Sequence, residues 1–215
     1  MGKVKEYITH IYDRLVKIYQ PIICRTYNLL TDSETEWPKF VAENQSYIDV
    51  RKNYFIPMLM LLVVVQVFSL CIGDFFNELD AETSLLEVLF LNASKTIMIS
   101  LVCYTLSGLL LYLLLGNSKF SWGLGSDFTL DKASVLIVFP YCISMLAQIL
   151  NNLWSIFFIM SFIAVILSLL LVWKGLASLV PNITPRKHSG LTYLIGIFPV
   201  LINTICIKLF DFITH

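Results

Sequence analysis

The sequence predicts an all-α, polytopic membrane protein with five spanning helices behind an amphipathic N-terminal region. Charge is the first observation: only 14% of the 215 residues are charged, and 57% are hydrophobic, where soluble domains carry about 25% charged residues. Block length is the second. The apolar residues fall at about 54–73, 96–115, 133–150, 154–173 and 191–213, each close to the ~20 residues that a helix needs to cross a bilayer. The third is that these blocks hold no Asp or Glu except Asp211, near the end of the last. In hydrocarbon every backbone N–H and C=O must find its partner within the segment, so each block is expected to be a helix.

Residues 1–53 read as a separate region ahead of the membrane domain at 54–215. Val4, Tyr7, Ile8, Ile11, Leu15, Ile18, Tyr19 and Ile22 recur at three and four, with Lys3, Glu6, His10, Asp13, Arg14 and Lys17 on the other face. This is the pattern of an amphipathic helix, and Pro21 is expected to end it. Such a helix can lie on the lipid surface, or pack on a partner protein or on the chain's own loops. A second short helix is expected over Glu36 to Asn44. Ser33 with Glu36 has the form of a capping box, but Pro38 is free only within the first helical turn, which selects Thr35 as the cap. No early apolar run with a cleavage site suggests a secretory leader, and Glu6 stands where a myristoylation motif needs Ser or Thr.

The third and fourth blocks are separated only by Asn151-Asn152. As one helix they would be roughly 60 Å long at 1.5 Å per residue, so the chain must turn back, and asparagine suits a turn. Lys39, Arg51, Lys52, Lys119, Lys132, Lys174, Arg186 and Lys187 fall on one side of the resulting topology, and Lys95 and Lys208 on the other. The positive-inside rule then places the N-terminus in the cytoplasm and the C-terminus outside. Trp37, Trp122, Trp154 and Trp173 stand at or beyond block ends, as interfacial anchors do.

Blocks one, three and five each carry an early proline: Pro57, Pro140 and Pro199. Each removes a backbone hydrogen bond, and kinks are expected at Pro140 and Pro199, serving either packing curvature or a pair of matched hinges. Ser161, Ala164 and Ser168, followed by Gly175, place small residues on one face of block four, a seam for close helix approach. Ser100, Ser107 and Gly108 offer the same in block two. The intramembrane polar residues are Gln66, Gln148 and Asn203, which read as interhelical hydrogen-bond formers or as a polar conduit.

Catalytic and metal chemistry find little support. Cys24, Cys71, Cys103, Cys142 and Cys206 have no CxxC spacing, and four lie inside apolar blocks, as small buried hydrophobes do. His10, His188 and His215 are far apart. Gly123-Leu-Gly125-Ser126 lacks the lysine and the strand context of a phosphate loop and reads as a flexible turn. No enzyme activity, cofactor or metal is expected. The balance of 15 basic and 15 acidic residues gives no reason to expect nucleic acid.

Several strings resemble the bacterial branch of the Yip1 domain family. They are Arg25-Thr-Tyr-Asn-Leu-Leu30, Glu36-Trp37, Tyr54-Phe-Ile-Pro57, Gly125-Ser-Asp-Phe128, Val138-Phe-Pro140-Tyr141 and Gly175-Leu-Ala177, and the resemblance covers about residues 25 to 213. It implies five spans, a cytoplasmic N-terminus and, for a bacterial relative, the inner membrane. Eukaryotic members bind prenylated Rab GTPases in traffic between ER and Golgi. This chain departs from them in having no long polar N-terminal extension and no Asp-Leu-Tyr-Gly-Pro segment. The leading expectation is a non-enzymatic membrane protein that organises the bilayer or protein partners, the latter through its N-terminal region. The alternative is a transporter or channel for small solutes or ions, with a conduit near Pro140 and Pro199.

Overall fold

The computed structural model describes residues 2–76, 85–116, 124, 128–153, 158–180 and 183–214, and every element among them is helical. The order is α1 (Gly2–Thr31), α2 (Ser33–Ala42), α3 (Tyr47–Val50), a π-helical turn (Arg51–Phe55), α4 (Ile56–Phe76), α5 (Leu85–Leu115), α6 (Leu130–Leu153), α7 (Phe158–Leu179) and α8 (Pro185–Thr214). Five helices are long and apolar enough to cross a membrane: Tyr47–Ile72, Leu86–Leu115, Leu130–Leu153, Ile159–Leu179 and Pro185–Phe210. They overlie the five apolar blocks but differ at their ends. The first, second, third and fifth begin earlier, because the chain is already helical before its unbroken apolar run starts.

Helix α6 is the organising element. It packs against α4, α5 and α7, while α8 packs against α5 and α7 and α4 also packs against α5, so the five long helices close a ring. From Ala133 to Ile143 every residue of α6 is buried. The end of the bundle that meets α2 and α3 is called the near end below, and the opposite end the far end. At the near end, hydroxyl pairs tie α5 to α6: Tyr104 Oη to Ser134 Oγ at 2.6 Å and Ser107 Oγ to Tyr141 Oη at 2.9 Å. Towards the far end the Ser69 hydroxyl donates to the Asn152 carbonyl, joining α4 to α6.

Several sequence expectations are corrected. Helix α1 does not end near Pro21 but runs through it to Thr31. Burial of Ile22 and Leu29 after the proline and the hydrogen bond from Tyr19 Oη to the Pro57 carbonyl before it hold the helix across the lost bond, and tertiary packing overrides the local penalty. Helix α2 starts at Ser33, with Asp32 as its cap residue and Pro38 in its interior. Thr35 is not the cap, and its hydroxyl instead donates to the Asp32 carboxylate at 2.5 Å. The side-chain cap and reciprocal capping box lie later, at Ser46 and Asp49 before α3. Asn151 and Asn152 are helical, in the last turn of α6, and Asn151 Nδ2 donates to Ser161 Oγ across the hairpin at 3.2 Å. The reversal itself falls outside the described residues, as do Trp122, Trp154 and most of the Gly123–Ser126 stretch.

Trp37 is no interfacial anchor. It is fully buried, its ring set edge-on to Phe40 and Phe139 at centroid distances of 6.4 and 6.1 Å. Gly175 of α7 makes room for it: a Cβ at that position would lie 2.7 Å from two carbons of the indole. The small-residue seam on α7 therefore has two partners. Ser168 donates to the Pro140 carbonyl of α6 at 3.4 Å, and Gly175 admits Trp37 of α2. Ala164 is buried too, but Ser161 is exposed and lies beyond the seam.

Gly175→Ala should therefore push α2 off α7. Overpacking of this kind costs about 1–3 kcal/mol. Limited trypsin digestion is expected to cut at Lys39 faster in this variant, and pairing it with Trp37→Phe should restore part of the protection. Unchanged digestion would contradict the packing described.

Candidate functional site

Two constellations stand out, one at each end of α6. The near-end one is built on Arg25, which the uninterrupted α1 carries past Pro21 to the mouth of the bundle. Its guanidinium holds Glu43 through both terminal nitrogens, at 2.7 and 2.5 Å, and donates to Tyr54 Oη at 2.9 Å. Its Nε lies 3.5 Å from a Glu36 oxygen, and its centre sits 4.9 Å from the Phe40 ring centroid. A planar fork can serve all of these at once, where a lysine would be a single point charge. Beneath it Phe40, Tyr54 and Phe139 meet edge to face at 5.1 to 5.6 Å. Such pairs contribute about 1 kcal/mol each beyond their buried area. Lys174 Nζ adds a bond to the Leu30 carbonyl at 3.2 Å, and the Tyr47 N–H donates to Asp131 Oδ1 at 2.6 Å. The N-terminal region is thus fastened to α4, α6 and α7.

Most strings singled out in the sequence converge here. Arg25, Leu29, Leu30, Glu36, Trp37, Tyr54, Phe139 and Gly175 are far apart in the chain and share one packed node. Pro57 belongs beside it, since its carbonyl accepts a hydrogen bond from Tyr19 Oη at 3.0 Å. The π-helical turn just before Pro57 falls where the missing N–H interrupts the regular bonding pattern.

The second constellation is a cavity of about 530 Å³ in the far half of the ring, to which α4, α5, α6, α7 and α8 all contribute. Gln66, Gln148 and Asn203 line it together, and so do Pro140, Pro199 and Ser168. Ser161, Ala164 and Pro57 do not reach it. Thr96 Oγ1 donates to Gln66 Oε1 at 2.7 Å, and Cys103 Sγ approaches Asn203 Oδ1 at 3.8 Å, so two of the polar residues also join neighbouring helices. Gln148 is exposed, as are Val165 and Ile207, and these mark the open side of the cavity. Tyr141, which pairs with Ser107 of α5, is among its lining residues. Among the described lining residues Lys95 is the only one with a formal charge, and no carboxylate is present. Lys95 also lies 5.4 Å from the Phe210 ring centroid. Sequence reasoning found the amides and prolines but missed Asn92, Lys95, Thr96 and Ser144, whose contribution depends on how the helices rotate about their axes.

Among the described residues no cluster of three or more His, Cys, Asp or Glu could hold a metal ion. Comparison with known proteins gave no matching family model, no matching curated protein and no matching solved structure.

The near-end node gives a prediction with a sign. The hydrogen bond from Arg25 holds the Glu43 carboxyl below its ordinary value of 4.5. Its ionised form therefore contributes stability that is fully present above pH 4.5 and is lost as pH falls through the lower folded-state value. The thermal midpoint of the intact chain should fall on acidification below pH 4.5, and Glu43→Gln should flatten that dependence. Arg25→Lys, which keeps the charge and loses the fork, should cost about 1–2 kcal/mol. Equal pH slopes for parent and Glu43→Gln would contradict this reading.

Proposed function

We propose that this chain is a non-enzymatic integral membrane protein that binds a small neutral amphiphile in its far-half cavity and moves it between the bilayer and the far face. One observation carries the reading: a single cavity gathers Gln66, Gln148 and Asn203 with both mid-helix prolines. Its 530 Å³ is within the ~300–1,000 Å³ of small-molecule sites. Amides and hydroxyls set among apolar side chains suit a ligand with a hydrogen-bonding head and an apolar body. The lack of a carboxylate in the described lining favours neutral cargo over cations. An opening flanked by Val165 and Ile207 suits access from lipid. Pro140 and Pro199 sit in the wall, where a hinge would change the cavity's shape.

In this reading the near end is cytoplasmic, because Lys39, Arg51, Lys52, Lys132, Lys174, Arg186 and Lys187 gather there against Lys95 and Lys208. The resemblance to bacterial Yip1-domain proteins makes the inner membrane the matching location. It also sustains a second reading, in which the near-end node presents a docking surface for a protein partner. The convergence of the resembling strings on that node favours it.

The cavity reading is tested with the full-length protein in proteoliposomes and a panel of neutral amphiphiles and polar solutes. Asn203→Leu and Gln66→Leu should each weaken binding and uptake about tenfold, the effect of one lost hydrogen bond of about 1.4 kcal/mol. Absence of binding and flux across the panel, or variants indistinguishable from the parent, would overturn it.

A further inference from the structure

One apolar stripe runs the length of α1, and the protein covers only half of it. Ile11, Leu15, Ile18, Ile22 and Leu29 lie within about 60° of one another at 3.6 residues per turn. Ile22 and Leu29 are buried against the bundle, at 2% and 0% exposure, whereas Ile11, Leu15 and Ile18 are 42%, 48% and 48% exposed. A straight continuation of the stripe faces the same way as the covered half, so residues 11–18 look past the edge of the bundle towards whatever surrounds it. Tyr19 fixes the level. Its hydroxyl binds the carbonyl of Pro57, near the start of the apolar helix α4. An apolar groove of about 460 Å³, formed by Tyr12, Leu15, Val16, Tyr19 and Ile23 with their neighbours, runs beside the stripe.

The polar residues are sorted to match. Glu6 and Asp13 lie roughly opposite the stripe, and Arg14 lies on its flank, about 100° from Leu15. In the first twenty positions Lys3, Lys5, Arg14 and Lys17 outnumber Glu6 and Asp13. A flanking cation can run its stem along the apolar surface and hold its charge at head-group level. We infer that the first half of α1 lies in the plane of the near-end leaflet, with Ile11, Leu15 and Ile18 in the acyl layer and Arg14 on anionic phospholipid head groups. The occupant is lipid because the Tyr19 hydroxyl ties α1 to the start of the first span, and because the local charge is basic. This rests on reading the five helices as membrane spans.

The test uses the full chain in vesicles of phosphatidylcholine and phosphatidylglycerol, with the photoreactive residue p-benzoylphenylalanine placed singly at Leu15, Asp13 or Phe68. Phe68 is an exposed position on α4 and reports on the span itself. Irradiation should give phospholipid adducts from Leu15 and Phe68, and several-fold fewer from Asp13. Phosphatidylglycerol should be enriched in the Leu15 adducts, and Arg14→Glu should remove that enrichment. Lipid adducts from Phe68 but not Leu15, or Leu15 adducts to a second copy or another protein, would overturn the inference while leaving the spans intact. No lipid adduct at Phe68 would overturn both. Leu15 adducts without head-group preference would overturn the anionic assignment.

Discussion

The structure depends on the burial of one stretch of α6, Val138-Phe139-Pro140-Tyr141. Phe139 faces the near end, where Trp37, Phe40 and Tyr54 close around it at 5.1 to 6.1 Å. One residue on, Pro140 lines the cavity and offers its carbonyl to Ser168. Tyr141 then pairs with Ser107 of α5 and lines the cavity as well. Three consecutive residues therefore join a packed aromatic node to an open chamber. Aromatic rings fill space without flexible stems, which suits the near end to be the rigid half, while the far half keeps its volume because amides and hydroxyls bridge neighbouring helices there.

That division separates what holds the molecule from what it can bind. At the near end a forked guanidinium is matched by two carboxylates and a phenol, and the Trp37 ring fits the space left by a glycine, although its indole N–H has no hydrogen-bond partner among the described residues. Far-half groups retain unused hydrogen-bonding capacity, since Gln66 and Asn203 each make one bond to a neighbouring helix and have further donors and acceptors. A ligand would complete those bonds. The N-terminal region belongs to the first half of this division and the cavity to the second, with α6 as the element common to both.

The five long helices were legible because hydrocarbon thickness imposes a block length and forbids unpaired backbone groups. Their ends were less legible. Tyr47–Phe55 is too mixed in polarity to count as span, and Leu85–Leu91, apolar but for Glu87, is parted from its block by Asn92-Ala-Ser-Lys95, yet in both the helical bonding continues into the span. Pro21 and Pro38 mislead because local rules end a helix at the first and confine the second to a first turn, and here the burial of Ile22, Leu29, Trp37 and Phe40 offsets the lost bonds. Trp37 was read as an interfacial anchor because its partners, Phe139 and Gly175, lie more than a hundred residues away. The amides Gln66, Gln148 and Asn203 were recognisable as polar residues in apolar blocks. That they share one chamber follows from helix rotation and order around the ring, which periodicity does not encode.

The central claim is that the far half of the ring encloses a real chamber lined by those three amides. The most direct measurement is an experimental density map of the full-length protein in lipid nanodiscs, at a resolution that separates side chains. The account predicts an open volume among α4, α5, α6, α7 and α8, with Gln66, Gln148 and Asn203 facing it and non-protein density against them. Contact between Ile99, Met145 and Ile195 across a closed interior, with the amides turned to lipid or to one another, would contradict it.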